Sequence, residues 1–186
     1  MYKLTTKSRI ALLALTASLL ASISAPAFAA PPAPSPGDYT VYIGGEEYVP
    51  SEFSAQLVSP GCGTGELAAK VIQNYERTSP SGIGRLQCGT QTTSGLRHIN
   101  YEHGQDWETI RVRYAIAGDW SDLMRFALGQ TLRSHNPTSQ VGSKVTYVAP
   151  IQIRNSNNEV VRTYDVIVPI GIPSELVITC YPTNGR

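Results

Sequence analysis

Charge is scarce in this sequence: Asp, Glu, Lys and Arg together make up 16% of its 186 residues. Basic surplus is scarcer still. The formal net charge is +1, but Lys3, Lys7 and Arg9 at the extreme N-terminus supply three of the 15 basic residues. Without them 12 basic residues face 14 acidic ones, a net charge of about −2. A general basic field is therefore absent, which excludes broad, non-specific nucleic-acid binding but leaves room for a local pocket around one phosphate. Beyond residue 23 no apolar run approaches the roughly 20 residues that span a bilayer. There is no internal repeat, no heptad run and no Gly-rich phosphate loop. HExxH is also missing, and no Cys or His pair has zinc-ribbon spacing, so the sequence offers no metal-site motif. No cofactor is implied.

Cysteine is sparse and odd in number, at Cys62, Cys88 and Cys180. One thiol is left over unless it pairs between chains. Cys62–Cys88 closes the shortest loop, while Cys88–Cys180 would tie the middle of the domain to its last strand. Spacing alone leaves both open.

What is present begins with a leader. The cluster Lys3, Lys7 and Arg9 precedes an apolar stretch over 10–23, and Ala27-Phe28-Ala29 has the small-x-small pattern of a signal-peptidase site. Residues 1–30 read as a secretory signal peptide, with no membrane segment left after cleavage and an extracellular or cell-surface location. The Pro-rich segment that follows cannot enter a helix or sheet interior and reads as a tether over 31–45. Residues 46–186 then form one domain with one core.

Within it, 64–76 reads as a helix with Leu67, Val71, Ile72 and Tyr75 on one face. A short strand is expected over 85–88, a helical turn over 96–103 stopped by Gly104, and an extended segment over 107–117. A second helix runs from about 120 to 133, capped by Asp119, with Trp120, Leu123, Met124, Ala127, Leu128 and Leu132 as its stripe. Strands over 145–153, 160–170 and 175–181, joined by short turns, make an antiparallel meander. The expected fold is α+β, with N-terminal helices packed on a C-terminal antiparallel sheet.

Chemistry is concentrated in Gly95-Leu96-Arg97-His98-Ile99-Asn100-Tyr101-Glu102-His103-Gly104. Two imidazoles can act as general base and general acid near neutral pH, and an arginine can hold a phosphate. His98 and His103 with Arg97 are what a metal-independent ribonuclease needs. The C-terminal Val177-Ile178-Thr179-Cys180-Tyr181-Pro182 is the second candidate. Strand alternation there turns Thr179 and Tyr181 to a cleft, and Ile178 and Cys180 to the core.

The segment LQCGTQTTSGLRHINYEHGQDW, followed by a helix, a meander and a terminal VITCYP, resembles the secreted bacterial toxin ribonucleases of the barnase–EndoU–colicin–RelE class. Such domains carry an RHI…H segment before the sheet and end in a TxYP-like strand. The resemblance covers roughly 85–182. It implies His98 as the prime catalytic residue, His103 or Arg97 assisting, and Thr179 and Tyr181 lining the site. Cys180 departs from the small residue expected there. RNA is the implied substrate, and an immunity protein is a possible partner.

Two other classes stay open. Cys62, just before the expected first helix, could be a nucleophile with His98 as its base, as in a cell-wall peptidase or amidase. A non-catalytic domain binding a cell-wall component or another protein is the other, with ten tyrosines to furnish a contact surface. His135 reads as a loop residue and a spare acid or base.

Overall fold

The computed structural model describes residues 33–50 and 62–185. The signal peptide expected over 1–30 lies outside them. The described residues belong to one compact unit and form two helices and eight strands.

The main sheet is antiparallel. Strand β1 (Tyr39–Ile43) is followed by the two-residue β2 (Glu46–Glu47), so the sheet begins inside the segment assigned to the tether. The long hairpin of β6 (Lys144–Asn155) and β7 (Val160–Gly171) forms its centre. The sheet order is β2-β1-β6-β7-β8, with β8 spanning Tyr181–Asn184 and β5 (Pro137–Val141) also pairing with β6. On β6 the alternate residues Val145, Tyr147, Ala149, Ile151 and Ile153 are all buried, as their period of two requires. From β7, Tyr164, Val166, Val168 and Ile170 join the same core.

Two helices lie in the middle of the chain. Helix α1 covers Leu96–Arg113 and α2 covers Trp120–Ser134. Asp119 caps α2, its carboxylate accepting the backbone N–H groups of Ser121 at 2.6 Å and Asp122 at 3.0 Å. Leu123, Met124, Ala127, Leu128 and Leu132 form the buried stripe of α2, which packs on β1, β6 and β7.

This order corrects the expected one of helices first and sheet last. The helix expected over 64–76 is absent: 64–70 are turns and irregular chain, and the rest belongs to a strand, β3 (Val71–Thr78), in a hairpin with β4 (Ser81–Gln87) that forms a second, two-stranded sheet. Val71 and Ile72 are β-branched, and Tyr75 and Arg77 are buried at alternate positions, a period of two mistaken for one of 3.6. Gly84, opposite Tyr75, lets α2 approach: a Cβ there would stand 2.7 Å from Leu132 Cδ1. The extended segment expected over 107–117 is mostly the second half of α1. Leu96, Ile99, Trp107 and Ile110 recur on its buried face. Gly104 is no stop: α1 runs through it with the position buried, and a Cβ there would lie 3.0 Å from Asn100 Oδ1 of the same helix and at an ordinary contact distance of 3.7 Å from Trp120 Cζ2. The strand expected over 175–181 is mostly irregular. Leu176 bridges to Arg85, Val177 bridges to Ile170, and the paired strand starts only at Tyr181.

A disulfide joins Cys62 to Cys88 and closes a separation of 26 residues. Cys180 is a free, fully buried thiol, and burial pushes its ionisation far up. No helix among the described residues is long and apolar enough to cross a membrane.

Candidate functional site

Where α1 begins, the chain end is drawn against it. Gly95 precedes the helix at a φ of 82°, a conformation open to glycine, and its N–H donates to Ile178 O at 3.1 Å. Further along, the buried Trp107 indole donates to Cys180 O at 3.0 Å. These two bonds bracket residues 178–180 and set Thr179 and Tyr181 beside the first two turns of α1.

The result is a cluster. The His103 ring stacks on the Tyr181 ring with centroids 4.6 Å apart and planes 19° from parallel. The His98 ring stands edge-on to His103 at 6.2 Å. His98 Nδ1 lies 2.9 Å from Gln91 O, and a carbonyl only accepts, so Nδ1 carries the hydrogen. His103 Nδ1 faces Asp106 Oδ2 at 3.3 Å, a carboxylate that likewise takes a hydrogen from the ring. Both imidazoles therefore have Nδ1 occupied and Nε2 available for proton transfer. Thr179 is buried and Ile178 only half-buried, the reverse of the expected alternation at these two positions, because this stretch is irregular rather than a paired strand; Thr179 Oγ1 has no hydrogen-bond partner among the described residues. The N-terminus of α1 carries no side-chain cap and no acidic residue in its first turn, but the Cys88 carbonyl accepts the Arg97 N–H there at 2.9 Å.

An open groove of about 530 Å³ adjoins the cluster at Asp106. Thr109, Ile110 and Arg113 line it from α1, Tyr164 from β7, and Pro182, Thr183 and Asn184 from β8.

Arg97 is elsewhere employed. Its Nη1 donates to Gly89 O at 3.1 Å, and its Nη2 to Gly63 O and Glu66 O, each at 2.9 Å, with Cys62 O at 3.5 Å. It fastens the stretch around Cys62 to the start of α1. Cys62 itself is in the disulfide, and β3 stands where the helix behind it was expected, so both features that suggested a thiol nucleophile are gone. His135 follows α2 in a separate pocket with Tyr42, Gly44 and Arg154, and burial lowers its pKa. No three His, Cys, Asp or Glu side chains gather into a metal-holding group among the described residues.

Asp106 and Trp107 are the contributors that sequence alone undervalued. Asp106 lies three residues after His103, a helical spacing that brings the two side chains together once α1 is read through Gly104.

No family model matches the chain, and no solved structure does. Over 57 residues it is 40% identical to an uncharacterised protein of Mycobacterium tuberculosis, with the same match in two strains. The matched stretch is 30% of this chain, which spans only 21% of the length of those relatives.

Proposed function

We propose that the protein is an exported, metal-independent ribonuclease whose active site is the cluster of His98, His103, Thr179 and Tyr181. The observation that carries this is the pair of imidazoles 6.2 Å apart, each anchored at Nδ1 and each offering Nε2. That is the equipment for moving one proton in and one proton out across a single phosphate.

In this scheme neutral His98 takes the proton of the RNA 2′-OH on Nε2. The 2′-oxygen then attacks phosphorus, and the P–O5′ bond breaks. Protonated His103, its charge met by Asp106, gives its Nε2 proton to the leaving 5′-oxygen. The products are a 2′,3′-cyclic phosphate and a 5′-hydroxyl. The phosphorane charge is met by protonated His103 beside it, since Arg97, the ligand that sequence spacing suggested, is spent on carbonyls and Thr179 Oγ1 is shut off from solvent. Tyr181 holds the His103 ring flat and starts β8, along which the groove extends toward Arg113 and Asn184. With a mature charge of about −2, recognition rests on these local donors rather than on a surface field. A disulfide persists in oxidising compartments, which fits action outside the cytoplasm.

The test is incubation of the purified protein with tRNA and total RNA in EDTA, beside a His98→Ala control of equal Tm. Cleavage leaving 2′,3′-cyclic ends, lost in the variant, is expected. A folded wild-type protein that leaves RNA intact at micromolar concentration refutes the assignment.

A further inference from the structure

A second cleft lies between β3 and α2, and none of its lining residues belongs to the histidine cluster. It encloses about 430 Å³, within the size range of small-molecule sites, and is lined by residues 73–76 of β3 and by Arg125, Phe126, Gly129, Gln130 and Arg133 of α2.

Its donors far outnumber its acceptors. Arg125 Nε and Nη2 are shut off from solvent, yet neither has a hydrogen-bond acceptor among the described residues. No ion pair compensates the guanidinium among the described residues, and Nη1 is the one of its nitrogens that is not shut off from solvent without a partner. A half-buried charge with no partner is costly, and proteins retain such groups where something else pairs with them. Arg133, two turns further on at about 12 Å along the helix axis, is exposed and has no ion-pair partner among the described residues. The carboxamides of Gln73, Asn74 and Gln130 add neutral donors. Gln73 already spends its oxygen accepting from the Tyr75 hydroxyl at 2.9 Å, so its NH₂ is the free end. Glu76 is the single acid among the lining residues. Gly129 presents no side chain, and a Cβ there would stand 3.1 Å from Tyr75 Cδ1, so Tyr75 can lie across α2 at that point, while Phe126 packs on Tyr48.

We propose that this cleft is a phosphate-binding site separate from the histidine cluster, taking the phosphate groups of a nucleotide or of an RNA strand. A phosphate offers more acceptor oxygens and more charge than a carboxylate, which suits two guanidiniums and several amides. The separation of the arginines suits a ligand with an organic body or a second phosphate, and the Tyr75 and Phe126 rings give that body an apolar floor.

The experiment titrates sodium phosphate, 5′-AMP and a short oligoribonucleotide into the His98→Ala protein, so that bound RNA is not cut. Calorimetry and thermal shift are read against sodium chloride of equal ionic strength. Saturable binding is expected, at least tenfold weaker in Arg125→Gln and in Arg133→Gln. The exposed Arg133 supplies a variant with an undisturbed fold. Arg125→Met in the absence of ligand should keep or raise Tm, since it removes an unpaired charge. Binding of phosphate or 5′-AMP identifies a free-anion site, and binding of the oligonucleotide alone identifies an RNA-backbone site. Responses that equal the chloride control, or that persist undiminished in both arginine variants, overturn the proposal. Cleavage is read in none of these arms, so the outcome is independent of whether the histidine cluster is an active site.

Discussion

Replacing Arg97 separates a fastener from a catalyst. Its guanidinium makes three good hydrogen bonds, at 2.9, 2.9 and 3.1 Å, to the carbonyls of Gly63, Glu66 and Gly89. A hydrogen bond with a charged partner contributes about 1.5–3 kcal/mol when buried. Arg97 is half-exposed and solvent recovers part of this, so Arg97→Ala should cost about 2–4 kcal/mol in all. For a domain of this size that lowers Tm by roughly 5–15 °C. Lysine offers a point charge without the planar fork and can serve fewer of the three carbonyls, so Arg97→Lys should lose roughly half as much. Thermal unfolding of both variants gives Tm, and RNA cleavage well below Tm gives kcat. Both variants should be destabilised in that order and keep kcat within about tenfold of wild type. If Arg97→Ala kept its Tm within about 2 °C but lost cleavage by more than about a hundredfold, the fastener role would be wrong and the arginine would belong to the reaction.

The Cys62–Cys88 bond should stabilise the fold by about 3.5 kcal/mol from loop closure alone, given its separation of 26 residues; a double Cys→Ser variant whose Tm matches wild type would contradict this. Trp107→Phe leaves the buried Cys180 carbonyl without its donor, at a cost of about 1–3 kcal/mol. It should also loosen Tyr181 against His103, so that kcat falls at temperatures where the variant is fully folded; an unchanged kcat would detach Trp107 from the site. His135 is half-buried; its Nδ1 is shut off from solvent with no hydrogen-bond partner among the described residues, and burial lowers its pKa. A group whose folded pKa lies below its unfolded one binds its proton more readily unfolded, so stability falls as pH drops below about 6.5. Denaturant midpoints should show this slope in wild type and a flatter one in His135→Gln. The Glu108 carboxyl, held low by its hydrogen bonds from Arg111, adds its own loss only at more acidic pH.

What could be read in advance followed the strength of the local signal. The alternation through Val145, Tyr147, Ala149, Ile151 and Ile153 has a single interpretation, and so does the stripe of α2 behind Asp119. Each is long, regular and closed by an unambiguous turn or cap. The segments that were misread are those where a residue has two meanings. Val71, Ile72 and Tyr75 fit a helical face as spacing but a strand as side-chain shape, and Gly84 across the hairpin decides for the strand by admitting Leu132. Gly104 reads as a stop in one dimension, whereas in three α1 continues through it, because the position is buried and carried by the helix on either side.

The same distinction governs the candidate site. His98 and His103 could be named as candidates from residue type, and Thr179 and Tyr181 from strand alternation and the resemblance. Their assembly could not, because it depends on two long-range bonds: Gly95 N–H to Ile178 O, and the Trp107 indole to Cys180 O. Arg97 shows the converse. By residue type a guanidinium beside a histidine is a phosphate ligand, but carbonyl oxygens at residues 63, 66 and 89 claim it first. Arg125 was unremarkable on its helix, and it carries the stronger case for an anion because no acceptor among the described residues meets its Nε or Nη2. A cation's availability is thus set by which acceptors the fold has already delivered to it, and in this chain that test moves the phosphate-binding arginine from α1 to α2.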